Sequence, residues 1–479
     1  MPQYPDISFW MSSIQTNASD SQPQLTSRPQ LTQSQDVDVA IIGAGYSGLW
    51  IAYYLKQQAP NLNIAILEAN TVGFGASGRN GGWLMGSVEG EDRLLSGLET
   101  SQKQQAHHHI YGIVNEAKGV FDREGIDCDF SHGGWLSAAA RYPEQLTMAR
   151  KTMANLQAEG HSAEAFQWLE GDELKARLNI HNPYGGIFSP HAARIHPAKL
   201  VTGLARAVER LGVNIYENTP VTNLSVSEQN SNTLTTDFGT VKADIVLPCV
   251  EGFSYKLEAH RRYILPIQSL IVATEPLSDT QWQDIGLQNN EVFSDTCRLI
   301  TYGQRSADNR LIFGSRGTYQ FGGKPKSSFS DSVTVFSDIG KLMREFFPAL
   351  ADTPITHCWG GTLGMPRSKS PHALFDPHSG VGSIGGYAGE GVGASNLMAR
   401  TLVDLILNRE SELTAMPWAY HTTMKKALRR WEPEPFRWLA YKSILATLIR
   451  EEAILSNPTS PSWKRKFIHG AAGAANSIL

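Results

Sequence analysis

The chain has 479 residues, 18% charged and 41% hydrophobic, which is room for two domains and the mixture of a globular rather than a disordered protein. A formal net charge of −4 gives no electrostatic case for nucleic acid as a partner. Cys128, Cys249, Cys297 and Cys358 show no CxxC spacing and read as free thiols of a reducing, cytoplasmic compartment; no secretory signal opens the chain, and no apolar run approaches the ~20 residues of a transmembrane span.

Residues 12–35 are rich in Ser, Gln and Thr without a hydrophobic period, so 1–35 is expected to be an extended lead-in that Tyr4, Phe9 and Trp10 pin to the body. From Val37 to Glu68 the order is strand, glycine turn, helix, second strand and acid. Gly43 allows the tight turn, Gly45 lets a pyrophosphate approach the backbone, and Gly48 lets the helix pack close on the sheet. Tyr46 and Ser47 open the helix, whose positive end suits the phosphates, and the Glu68 carboxylate suits the ribose hydroxyls. These elements together predict a bound dinucleotide.

Next comes Gly73-Phe74-Gly75-Ala76-Ser77-Gly78-Arg79-Asn80-Gly81-Gly82, with five glycines in ten residues. So few side chains allow backbone N–H groups to approach an anion or a flat ring. Here the sequence resembles the glycine/D-amino-acid oxidase (DAO) superfamily of FAD-dependent amine oxidoreductases, and within it the gamma-glutamylputrescine oxidase-like branch. The resemblance implies that the segment passes the pyrophosphate and runs under the isoalloxazine. It would give cofactor contacts to Gly75, Ala76, Ser77, Arg79, Asn80, Gly81 and Gly82. It covers most of the chain, from Asp36 to about Leu407, and extends to 431–438.

Two stretches, after Glu91 to about Arg123 and 144–159, read as helices. His107, His108 and His109 are adjacent on the first; successive helical residues point about 100° apart, so they cannot share one ion, and no metal site is expected. An amphipathic helix runs from Arg194 to Leu211, then a strand exits at Val221, whose counterpart in the family holds the adenine through its backbone. A hairpin at 237–241 and a short strand at 244–248 follow. Strand-length runs at 134–139, 267–274, 298–302 and 310–314 build a second sheet.

Near the C-terminus, 381–393 forms a second glycine turn that feeds a helix running to about Leu407. The family aims that helix at the flavin, so Gly386, Tyr387, Gly389, Gly391 and Val392 are candidate cofactor contacts, as is Gly360 in the preceding strand. The segment from Phe436 to Leu455 reads as a packed C-terminal helix, with peripheral membrane contact through it and Trp463–Phe467 as a second reading.

The expected fold class is α/β: a Rossmann-type, DAO-like FAD-binding domain from 36–90, 195–258 and 354–408, interleaved with an α+β substrate domain on a mixed antiparallel sheet from 91–194 and 259–353. Residues 409–479 would form a C-terminal helical segment. The expected reaction is oxidation of an amine or amino-acid C–N bond to an imine by hydride transfer to flavin N5. The imine hydrolyses to aldehyde or ketone plus amine, with O2 as acceptor. Dehydrogenation into a quinone or carrier, and flavin binding without amine oxidation, are the alternatives. With N5 as the reactive centre, no side chain is assigned as catalytic. Trp83, Tyr302, Arg305 and Arg316 are the substrate-binding candidates, the arginines for an anionic group. The FAD is expected to be non-covalent, since no histidine lies in the 73–82 loop.

Overall fold

The computed structural model describes residues 3, 6–16, 27–227 and 231–478. The first strand, Gln35–Ile42, is the buried centre of a nine-stranded sheet and pairs in parallel with Gly239–Pro248 on one side and Ile64–Leu67 on the other. Ile64–Leu67 pairs in parallel with Asn214–Tyr216, and Gly239–Pro248 with Val381–Gly385. Val39, Ala40 and Ile41 are wholly buried, as a parallel strand covered on both faces must be: Val39 and Ile41 join the helix-side core, and Ala40 and Ile42 pack with Val221 and Leu234 on the other face. The helix Tyr46–Gln58 crosses over from the first strand and packs against Pro197–Arg210 and Gly391–Ile406.

The second sheet has eight strands and is antiparallel except where Val292–Asp295 runs parallel to Trp135–Ala139. Its longest pairing joins Ile264–Pro276 to Ile355–Pro366 and to Arg310–Tyr319. Its core is separate, centred on Phe293, Phe313, Trp282 and Phe346.

Three expectations change. Residues 355–366, assigned from sequence to the cofactor domain, are a strand of the second sheet: the pairing with 264–276 runs the whole length of the strand. The helical stretch after Glu91 breaks into Glu91–Leu95, Thr100–Tyr111 and Ile113–Glu124, with Gly97 and Gly112 at the breaks. These helices join the cofactor layer rather than the second sheet, with Phe121 stacked on Trp50 at 6.5 Å. The lead-in is not extended throughout either. Phe9–Thr16 is a helix whose Phe9, Trp10 and Met11 are buried, and that burial outweighs the polar composition. Further on, Arg28 is buried in ion pairs with Glu209 and Glu217. Tyr4 and residues 17–26 lie outside the described residues.

The C-terminal helices Phe436–Leu455 and Ser462–Ile478 pack on one another, and the first also packs on Arg310–Tyr319. Among the described residues no helix is long and apolar enough to cross a membrane.

Candidate active site

In a parallel sheet the carboxyl ends of the strands face the ligand. Here the ends of four neighbouring parallel strands bring Gly43, Glu68, Cys249 and Tyr387 to one cavity of about 540 Å³. The N-termini of two helices, at Tyr46–Ser47 and Gly391–Val392, open into it, and Ser47 Oγ and Tyr387 Oη tie them together at 2.8 Å.

Contacts lead through the cavity in order. The Glu68 carboxylate accepts from Ala44 N at 2.8 Å and Asn70 N at 2.9 Å, which fixes it beside the glycine turn. Burial pushes its pKa up, opposed by these backbone donors. Tyr46 N donates to Ser77 Oγ at 2.9 Å, joining the helix start to the glycine loop, and Val221 lines the wall by Glu68. Gly75, Ala76, Ser77, Arg79, Asn80 and Gly81 all line the same cavity, as do Gly45, Gly389, Gly391 and Val392. Gly75 and Gly389 are open where a side chain would project: a Cβ on Gly75 would meet only the Phe253 ring at 3.7 Å, and one on Gly389 nothing within 4 Å. A dinucleotide fits this cradle of bare backbone, two helix N-termini and one carboxylate.

Gly48, Gly82, Gly360 and Gly386 stand behind the wall, where each permits close packing. A Cβ on Gly48 would lie 2.2 Å from Gly43 O, and one on Gly82 2.0 Å from Gln304 Nε2. One on Gly360 would strike the Phe329 ring, and Gly386 N donates to Glu251 Oε1 at 2.6 Å.

Arg79 lines the cavity, but its guanidinium donates to the carbonyls of Phe74, Ile7, Ser327 and Gly360. It clamps the loop, and burial without an acid lowers its pKa to about 10. Ser8, just before the N-terminal helix, and Trp10 within it donate to Gly78 O and Asn80 O, and Trp359 to Arg79 O. Sequence reading missed this strapping because the partners are up to 281 positions apart in the chain.

At the far end Tyr302 stands between two glycines, since a Cβ on Gly81 or Gly314 would strike its ring at 2.8 or 2.3 Å. Its hydroxyl pairs with Ser269 Oγ at 2.6 Å. Trp83 meets it edge-on at 5.9 Å and donates through Nε1 to Gly303 O. Both rings line the cavity, with Met85, Ile271 and Ile300. Arg305 does not: its guanidinium donates to Asn309 Oδ1 and lies over the Trp282 ring, because the Thr301–Arg305 strand alternates sides and the hairpin turn captures its last residue. Arg316 N-terminal neighbours aside, only its backbone is described, paired with Ser269; its side chain lies outside the described residues.

Glu89, Glu251 and Glu390 also line the cavity and were not singled out from sequence. Glu251 was legible: it follows the carboxyl end of Gly239–Pro248 by three residues, where parallel strands present ligand contacts. The burial of Cys249 pushes its thiol up, away from the nucleophilic thiolate. Of the three adjacent histidines, His107 reaches Glu91 at 3.4 Å and stacks on His161 at 4.1 Å with planes 18° apart. Near-parallel rings cannot aim their in-plane lone pairs at one ion, so this grouping is a stack.

Comparison with known proteins gives a consistent result. The family model "FAD dependent oxidoreductase" (DAO) matches residues 38–405. A probable oxidoreductase OrdL of Haemophilus influenzae is 30% identical over 407 residues, 82% of this chain and 88% of the relative. Gamma-glutamylputrescine oxidoreductase of Escherichia coli is 27% identical over 385 residues, 78% and 85% of the two chains. Among solved structures, glycine oxidase of Geobacillus kaustophilus aligns with a TM-score of 0.64 at 20% identity, over 83% of this chain and 100% of that one.

Proposed function

The chain belongs to the FAD-dependent oxidoreductase family, and from that premise we propose that it oxidises the C–N bond of a small amine to an imine, which water hydrolyses to an aldehyde or ketone. FAD is the cofactor, and when bound it supplies the acceptor for a hydride equivalent. The residues at each end have separate tasks. Glu68 and the Gly43–Ser47 turn hold the dinucleotide. Trp83 and Tyr302 form a rigid apolar corner that excludes water and restricts how a C–H bond can approach. The buried, protonated Cys249 and the lack of any histidine among the described lining residues support a non-covalent cofactor.

The observation that carries the reading is the charge of the cavity. Among the described lining residues the acids are Glu68, Glu89 and Glu390, besides Glu251, which burial raises to about 7 and which adds charge only in part, and the single cation, Arg79, is occupied by main-chain carbonyls. Such a field favours a substrate whose polar group is an amine over one that presents an anion. The cofactor on the parallel sheet and substrate selection on the second sheet is the division of labour we assign, with 355–366 in the latter. Relatives named as oxidases support O2 as acceptor, giving one hydrogen peroxide per amine consumed.

The test is anaerobic mixing of the yellow protein with primary, secondary and N-methylated amines and with amino acids. At least one amine should bleach the visible flavin band, and air should restore it with stoichiometric peroxide. No bleaching across the panel refutes amine oxidation. Bleaching that only a quinone or carrier reverses assigns a dehydrogenase.

A further inference from the structure

Behind the wall of the cofactor cavity lies a second, small cavity of about 20 Å³, lined by Glu251, His260, Tyr263, Ser383, Met424 and His372 among others. Glu251 and Val250 line both cavities and form the partition between them. Four buried polar atoms here have no hydrogen-bond partner: Glu251 Oε2, His260 Nδ1, and both ring nitrogens of His372. The two histidines are 7% and 3% exposed, so bulk water does not satisfy them. A buried polar group left without a partner is destabilising, which makes four around one small void an unstable arrangement unless something polar fills it. The space is that of one water molecule, which needs roughly 10–15 Å³ and two to four polar partners.

All three groups line this one void, and the His260 ring acts electrostatically on His372. The Cβ position of Gly385 lies 2.9 Å from Glu251 Oε1 and 3.6 Å from His372 Cε1, and the Cβ position of Gly386 lies 3.3 Å from His372 Nδ1. Glu251 Oε1 is already fixed by Gly386 N, which leaves Oε2 as the free acceptor or proton carrier.

We propose that Glu251, His260 and His372 enclose one internal water and together hold a proton behind the cofactor cavity, exchanging it as the charge on the cavity side changes. The energetics agree with the geometry. Burial raises the Glu251 carboxyl to about 7, opposed by the N–H groups of Gly386 and Tyr387, and lowers both histidines to about 4. Near neutral pH the proton of the cluster is therefore partly on Glu251, beside two neutral imidazoles. The other titratable groups facing Glu251, Cys249 and Tyr387, stay protonated through burial. A dinucleotide in the cavity brings pyrophosphate charge and displaces water from the Glu251 side, and both effects disfavour the carboxylate. Binding should then draw a proton in. The sign follows: between the Glu251 pKa of the free and the loaded protein, the loaded protein holds more protons, so cofactor affinity falls as pH rises through that window.

The experiment is titration of the flavin-stripped protein with FAD in buffers of different ionisation enthalpy, from about pH 5 to about pH 8. Wild type should take up a fraction of a proton near neutral pH and none from this group at the acid end. Glu251→Gln keeps the acceptor for Gly386 N and should abolish that component, which also removes any contribution of Glu68, Glu89 or Glu390 from the comparison. If Glu251→Gln binds no FAD, His372→Asn replaces it: the pH of half-maximal uptake should shift from that of wild type. Equal proton counts in wild type and Glu251→Gln, or an unshifted profile in His372→Asn, overturn the proposal. The readout is cofactor binding alone, so amine oxidation stands or falls separately.

Discussion

At one end of the cavity the lining is mostly main chain, with the Glu68 carboxylate, and at the other it is side chains. Gly43, Gly45, Tyr46 and Glu68 belong to one continuous strand–helix–strand unit, in which the strand ends and the helix start fix each position. Trp83, Ser269, Tyr302 and Glu390 come from four separate segments that meet only when the second sheet docks. A main-chain site tolerates little change in backbone geometry and much change in its neighbours. A side-chain site has the reverse tolerance, and this lets one cofactor end serve many substrate ends. Substitutions at the two ends should therefore fail differently.

The largest effect is expected at Gly48. In Gly48→Ala the new methyl would lie 2.2 Å from Gly43 O and 3.0 Å from Ile41 Cγ2, and the first of these is backbone that no rotamer change can move. The helix must lift from the sheet, at a cost of about 3 kcal/mol, the upper range for overpacking. Thermal unfolding should show a drop in Tm and the purified protein should lose its flavin. A yellow variant with unchanged Tm would show that the close helix–strand contact is not what the unit depends on.

Next is Glu68→Ala. It removes the carboxylate that we assign to the ribose hydroxyls and strands the donors Ala44 N and Asn70 N, for a loss of ~1.5–3 kcal/mol. FAD should bind about ten- to a hundredfold more weakly in fluorescence titration, and gel filtration should strip it. Full retention through gel filtration would count against Glu68 as the anchor and equally against a non-covalent cofactor.

The same division explains what the sequence revealed. The Gly43–Glu68 unit is readable because each residue's task is set by neighbours a few positions away, and the 73–82 loop because five glycines in ten residues have a backbone meaning. The N-terminal helix 9–16 was hidden because its stabilising contacts, such as Trp10 to Asn80 O, are 70 positions distant and composition reports only local polarity. Strand 355–366 was misassigned for a related reason: an alternating run carries its period but not its partner, and Cys358–Gly361 pairs with Leu270, Ile271 and their neighbours. Arg305 shows the limit most clearly. Its residue type and its place in a strand near Tyr302 both pointed to a substrate anion, yet one position of strand parity and the Asn309 turn decide where the guanidinium goes.

That decision gives the last and smallest effect, best read against its opposite. Trp83→Ala takes away the wall that meets Tyr302 edge-on and opens the corner to water, so kcat/KM for the best amine should fall about thirtyfold, ~2 kcal/mol of lost apolar contact. FAD affinity should stay near wild type, because the ring meets Tyr302 and Gly303 of the second sheet. Arg305→Ala should behave in the reverse manner. Its guanidinium donates to Asn309 Oδ1 and covers Trp282 at 4.8 Å, so its loss removes a turn contact and a cation–π pair worth ~0.5–1 kcal/mol of stability. Tm should fall slightly while kcat and KM stay within about twofold of wild type, since a buried-anion partner would instead cost ~2–5 kcal/mol in binding. A large rise in KM for Arg305→Ala would mean that the hairpin turns its arginine inward when substrate arrives. The acidic balance of the cavity would then no longer describe the complex that reacts, and the preference for an amine without an anionic group would fall with it.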